Sequence, residues 1–160
     1  MDQPLDPAAR PLAAEAKTLA ADARVMTLAT GGSQGCWAAP VYYLYKNGGF
    51  YFFSSPDSRH IQDGENLESG CAASLYHDSD EVKALRGLQM QGRIAPVSMN
   101  VEALAAAGAY VKKFNIRINA ENALAALTKQ YRASFYRFVP EEVYYMDNRL
   151  GFGSRKRVEI

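Results

Sequence analysis

Ser54, Ser55, Ser58, Arg59 and His60 crowd into one short stretch, FYFFSSPDSRH at residues 50–60. A strand that delivers hydroxyls, unpaired helix N–H groups, a guanidinium and an imidazole to one spot offers the donors an anion needs, and suits a phosphate best. The four aromatics ahead of them read as a strand buried on both faces, which Ser54 and Ser55 end. Pro56 suits the first position of a helix and Ser55 its N-cap, so a helix is expected from Pro56 to about Leu67, stopping before Gly70. A plainer reading stays open beside this one: Ser-Pro only caps a helix, and Arg59 is solvated.

Other residues capable of chemistry are sparse. Cys36 and Cys71 form no CxxC, and with His60 and His77 as the only histidines the spacing falls short of a zinc site. A disulfide between the two cysteines stays open, with free thiols as the default. Gln89 and Gln91 share a face with Gly87, where paired amides beside a small residue either read a polar ligand edge or form the wet face of a strand. Phe152 stands between Gly151 and Gly153, which lets a chain turn sharply and lay the ring on something, or packs it in a terminal strand. His77 and the acidic loop at 78–81 have no identifiable partner, so no catalytic residue is assigned.

The 160 residues are 48% hydrophobic and 22% charged, the balance of one globular domain with a real core. A net charge of +1 argues against a general nucleic-acid binder, and the basic run at 155–157 reads as a solvated end. The opening residues lack the apolar core of a signal peptide and no run approaches a membrane span, so the expected location is cytoplasmic.

The elements that must position these residues follow from periodicity. Leu12, Ala16, Leu19 and Ala23 predict an amphipathic helix over residues 8–23. Residues 25–30 and 36–45 predict a hairpin around GGSQG, and the second of these strands is apolar on both faces, with Trp37, Ala39, Val41, Tyr43 and Tyr45 on one and Ala38, Pro40, Tyr42 and Leu44 on the other. Burial on both faces calls for a closed barrel with a partner chain or flat ligand against the outside. Strands are expected at 71–77 and 83–97, the latter disturbed at Gly87 and Gly92. Asn100 caps a helix carrying Val101, Leu104 and Val111, and Asn119 a shorter one carrying Leu124, Leu127 and Tyr131. A last strand runs over 134–146, broken or bulged at Pro140, and a tail follows from 147. Six strands joined mainly by hairpins predict a mainly β (α+β) chain, a six-stranded antiparallel split barrel of Greek-key type with flanking helices, in one domain over 1–160.

Three segments carry a family resemblance: FYFFSSPDSRH followed by NLESGCAASLY, LRGLQMQGRI at 85–94, and MDNRLGFG at 146–153. Together they resemble the FMN-binding split-barrel family typified by pyridoxamine 5′-phosphate oxidase, and the third is similar to the closing motif of a functionally uncharacterised bacterial branch of it. The resemblance implies a homodimer holding FMN at its interface. It implies that Ser54, Ser55, Ser58 and Arg59 hold the ribityl phosphate, with His60 where the oxidase has Lys, as a weaker and pH-dependent donor. Ala38, Ala39, Pro40 and Val41 would line the isoalloxazine with main-chain groups at its pyrimidine edge. Gly87 stands where the oxidase carries a flavin-touching Gln, and Gln89 serves instead; Phe152 stacks near the ring, from either subunit. The oxidase's long C-terminal segment for pyridoxal phosphate has no counterpart here. The expected function is thus an FMN-dependent oxidoreductase on an unknown small substrate, other than a true pyridoxamine phosphate oxidase. The alternatives are a non-catalytic flavin store or sensor, the same barrel holding haem or a deazaflavin, and an interaction module with no ligand.

Overall fold

The computed structural model of the chain describes residues 9–66 and 70–160. Helix α1 (Ala9–Asp22) leads into the hairpin β1 (Val25–Gly32) and β2 (Gly35–Tyr42), then β3 (Leu44–Lys46) and β4 (Gly49–Ser54). Helix α2 (Arg59–Asn66), β5 (Cys71–His77), β6 (Arg86–Pro96), α3 (Val101–Lys113), α4 (Ala123–Tyr131), β7 (Ser134–Asp147) and β8 (Arg155–Arg157) complete it. All strand pairs are antiparallel, in the order β2-β1-β5-β6-β7-β4-β3, with β8 added to β7.

The two ends of that order are neighbours in the chain. Only Tyr43 separates β2 from β3, so the sheet has to curl until its edges meet there. Tyr43 is fully buried; its hydroxyl donates to the Ala20 carbonyl at 2.8 Å and its N–H to Arg24 O at 3.1 Å, which ties the seam to the end of α1. This seam accounts for a miscounted strand: the expected continuous strand over 36–45 breaks at Tyr43, because its two halves belong to opposite edges of the sheet. The tail adds β8, which brings the total among the described residues to eight instead of six.

Strand β4 shows why the architecture has two cores. Its alternating side chains put Phe50 and Phe52 inside the curl with Met26, Leu28, Tyr136 and Phe138, while Tyr51 and Phe53 point the other way, towards α3 and α4. Burial on both faces of this strand was expected from the aromatic run. Helix α1 covers one end through Ala16, Leu19 and Ala20; of the helix expected from residue 8, that first residue lies outside the described residues.

Helix α3 begins as expected, with the Asn100 carboxamide accepting from Ala103 N at 2.8 Å. Its buried stripe, however, is Ala103, Ala106, Ala107, Tyr110 and Val111, and Val101 and Leu104 are exposed. Alanines let the helix sit close against β3, and that close approach, not the largest side chains, chooses the face. Asn119 caps a short 3-10 turn (Ala120–Asn122) ahead of α4, and Tyr131 is exposed where burial was expected. The long strand begins at Arg86, after another 3-10 turn (Val82–Ala84). The irregularity expected at Gly92 and Pro140 is a register shift between Gln91 and Gly92: Gln91 pairs with Glu142 and Gly92 with Pro140, which leaves Glu141 out of the ladder.

Four tyrosines make the fold alkali-sensitive. Burial, first of all, pushes Tyr51, Tyr110 and Tyr145 up to about 12, and raises Tyr43 further. Above about pH 10 the unfolded chain gives up phenolic protons that the folded chain keeps, so stability falls as pH rises towards 12. Lys113, pushed down to about 8 by burial, acts oppositely, adding stability between pH 8 and about 10.5. The expected result is a urea midpoint that drops steeply above about pH 10; a flat midpoint up to about pH 12 would show these hydroxyls to be hydrated.

Candidate functional site at the barrel seam

Ser54 ends β4, and there the chain does not enter a helix directly. Pro56 takes the second position of a turn closed by Ser58 N–H donating to Ser55 O at 3.0 Å, and the helix starts only at Arg59. Ser58, not Ser55, is the residue before the first helical turn, since its carbonyl accepts from Ile61 and Gln62. Proline at the second place of a β-turn is as favourable as at the start of a helix, and here the turn wins. The expected C-terminus of this helix at Leu67 lies outside the described residues.

The turn gathers three of the predicted residues. Ser54 Oγ lies 3.0 Å from Ser58 Oγ and 2.8 Å from His60 Nε2, and Ser58 Oγ donates to Ser55 O at 2.7 Å. Ser55 Oγ accepts from Asp57 N–H at 3.2 Å. Burial lowers the His60 pKa below its ordinary value, which favours the neutral ring near neutral pH, and its Nε2 is shared between Ser54 Oγ at 2.8 Å and Ser58 Oγ at 3.4 Å.

Arg59 points elsewhere. Its Nε donates to Asp63 at 3.2 Å, its Nη2 to Gln34 O and Gly35 O at 3.1 and 2.9 Å, and its guanidinium carbon stands 4.8 Å from the Trp37 ring centroid. It clasps the tip of the β1–β2 hairpin to α2, beside a polar hollow lined by residues of both.

A second cavity, about 600 Å³, opens where β2 and β4 come together. Ser54 and Ser55 form one side; Tyr42, Phe53, Tyr110, Phe114, Leu127 and Tyr131 form the walls, and Arg24 stands at it too. Apolar walls with a few polar groups are the composition of a small-molecule site. β2 is an edge of the sheet and meets the cavity at Tyr42, whose carbonyl Tyr110 Oη reaches at 3.5 Å, while at its other end Gly35 O accepts from Arg59.

Of the predicted lining residues, Ala39 and Val41 point into the core and can offer main-chain atoms alone, whereas Ala38, Pro40 and Tyr42 face outward. That outward face continues across the sheet. Register aligns Pro40, Thr27, Ser74, Gln89 and Tyr144 in one row, and Ala38, Ala29, Ala72 and Gln91 in the next. Gln89 therefore shares a face with Pro40 but lies three strands away, roughly 14 Å at the usual strand spacing. Small and apolar side chains dominate this surface, with Tyr42 at 58% and Tyr76 at 64% exposure.

Phe152 is 88% exposed, past the C-terminal end of a 14-residue β7 whose other end reaches the cavity at Ala133. It is not the packed ring of a terminal strand. Its loop is nonetheless held: Asn148 donates from its amide to Val82 O at 2.8 Å and accepts from Gly153 N–H at 3.0 Å. Asp147, 1% exposed, binds the Arg149 guanidinium, which also reaches Glu15 of α1 at 2.6 Å. Cys36 is an exposed thiol and Cys71 a buried one, both free. No metal-binding group of His, Cys, Asp and Glu and no helix long and apolar enough to cross a membrane occurs among the described residues.

Reasoning from sequence did not single out Arg24, Tyr110, Phe114 or Tyr131. The three aromatics read as ordinary helical positions, and an arginine between a helix and a strand carries no local signal.

A family model described as Pyridoxamine 5′-phosphate oxidase matches residues 12–147. A UPF0306 protein of Klebsiella pneumoniae (strain 342) is 28% identical over 134 residues, covering 82% of this chain and 82% of that protein. A heme binding protein from Mycobacterium smegmatis shares the fold with a TM-score of 0.70 and 22% identity, covering 99% of this chain but 60% of that one. A FAD binding protein from the same organism shares it with a TM-score of 0.59 and 10% identity, over 92% of this chain and 95% of that one.

Proposed function

Because the chain belongs to the pyridoxamine 5′-phosphate oxidase family, we propose that it binds FMN at the seam cavity, as a homodimer, and serves as an oxidoreductase on a small substrate. The observation that carries this reading is the cavity itself, in which aromatic walls, the Ser54 and Ser55 hydroxyls and the end of the edge strand β2 at Tyr42 meet. A flavin needs each of these: apolar surface for the ring system, main-chain groups for its pyrimidine edge, and donors for its phosphate. Ser54, Ser55 and Ser58 would hold the phosphate with Arg59 and His60 behind them, and Ala38 to Val41 would offer backbone atoms to the ring. Bound FMN would supply hydride or electron transfer, while the protein binds it, orients it and keeps water from it.

The outward face of β2, β1, β5 and β6 supports the dimer. Its flat rows of mostly small side chains, with Tyr42 and Tyr76 exposed beside them, leave room for a second copy of the same face paired by two-fold symmetry. Phe152 supports it too: only a partner protomer's Phe152 would approach this chain's cavity, given its place at the far end of β7. Gln89 on that face would be shared between protomers in the same way.

The haem alternative finds less support in the side chains. Among the described residues no histidine lines the cavity, and His60 Nε2 is already bonded to Ser54. Purified protein is expected to run as a dimer, to be yellow, and to release FMN on denaturation. A colourless protein that takes up no added FMN would overturn the reading, and a Soret band would replace it with haem. NAD(P)H oxidation no faster than with free FMN would make the protein a flavin carrier instead of an enzyme.

A further inference from the structure

A phosphate dianion needs positive charge, and the seam as built is short of it. The Ser54 and Ser58 hydroxyls are bonded to each other and to a neutral His60, and Arg59 spends Nε and Nη2 on Asp63 and two hairpin carbonyls. Among the described residues lining the cavity, Arg24 alone is charged.

Arg24 is placed for the task by its neighbours. Its carbonyl accepts from the buried Tyr43, and the preceding carbonyl of Ala23 accepts from Lys113 Nζ at 2.7 Å, so the main chain is pinned on both sides. Its guanidinium carbon stands 5.1 Å from the Phe114 centroid, on a cavity wall, and it has no carboxylate within 4 Å among the described residues. Lys113, from α3, brings a second cation close by, and Arg24 contributes to depressing its pKa, although Asp22 offsets part of that. Two neighbouring cations, one with no counter-ion, at a cavity with aromatic walls form a place for the anionic end of a flat ligand.

We propose that Arg24 binds the phosphate of the flavin, supplying the charge that Arg59 and His60 withhold. This rests on the FMN reading above and adds to it a binding residue on the α1–β1 connection, far in sequence from the serine turn.

The test compares FMN with riboflavin, which carries the same ring but no phosphate, by fluorescence titration of the full-length wild type, Arg24→Ala and Arg24→Lys. FMN affinity is expected to fall about tenfold in Arg24→Ala, a charged hydrogen bond discounted for solvent, with riboflavin affinity within about twofold of wild type. Arg24→Lys should keep most of the FMN affinity. Equal losses for both flavins would make Arg24 a support for Phe114 and overturn the proposal, as would an unchanged FMN affinity. The wild-type arm reports separately on the FMN reading: a wild type that takes up neither flavin sinks that reading and this one together. A wild type that binds FMN while Arg24→Ala binds it equally well sinks this one alone. Thermal melts of the variants, expected to match wild type because Arg24 is exposed, exclude a folding defect.

Discussion

Arg59→Ala is expected to weaken FMN binding, by about 1.5 to 3 kcal/mol where the guanidinium donors left over from Asp63, Gln34 and Gly35 turn to the phosphate, the range for a hydrogen bond to a charged group. The structure adds a second route to that loss. Arg59 bridges α2 to Gln34 O and Gly35 O, and its guanidinium covers Trp37, the chain's only tryptophan. Without it the hairpin tip loses its tie to α2, and β2, whose main chain the ring would use, begins at that tip. Two measurements separate the routes: FMN titration, and amide exchange over residues 31–37 in the flavin-free variant. Arg59→Lys keeps the charge but not the fork that reaches two carbonyls and Asp63 at once, so it should recover affinity only in part. An unchanged dissociation constant in Arg59→Ala would remove the residue from the site. Faster hairpin exchange with unchanged affinity would leave it a structural clasp.

The largest effect on folding is expected at Gly92. A Cβ there would stand 2.2 Å from Val139 O and 2.9 Å from both Phe138 Cζ and Pro140 Cα. Two of the three are main-chain atoms at the bulge between β6 and β7, so neither side can yield by changing a rotamer. Gly92→Ala should cost about 3 kcal/mol or more, at or beyond the top of the usual overpacking range, or prevent folding altogether. Gly31→Ala is the control: its Cβ meets nothing within 4 Å, and its urea midpoint should shift by less than about 0.5 kcal/mol equivalent. A Gly92→Ala protein that unfolds like wild type would mean that the β6–β7 register is drawn wrongly.

The contrast between the two arginines shows where a sequence stops being legible. Arg59 announces itself beside serines and a histidine, yet besides Asp63 it binds Gln34 and Gly35, distant in the chain; Arg24 has no such company and lies at the cavity. Gln89 was placed on the outward face by strand alternation, but how far it sits from β2 depended on the two intervening strands, β1 and β5. Phe152, flanked by glycines with φ of 133° and 72°, was rightly picked as a residue on a sharp turn, whereas its exposure came from the way Asn148 and Asp147 hold the loop.

Local patterns in the sequence determined the end of β4 at the serines, the doubly buried aromatic strand, the Asn100 cap, the bulge at Gly92 and Pro140, and the mainly β class. Each is set by residues within a few positions of one another, where backbone geometry and alternation of side chains leave few choices. Tertiary structure alone decided that the expected second strand breaks at Tyr43, that alanines pick the buried face of α3, and that Arg24 rather than Arg59 stands at the cavity. These depend on which distant surfaces come to rest against each other as the sheet curls, and no short stretch of chain encodes that.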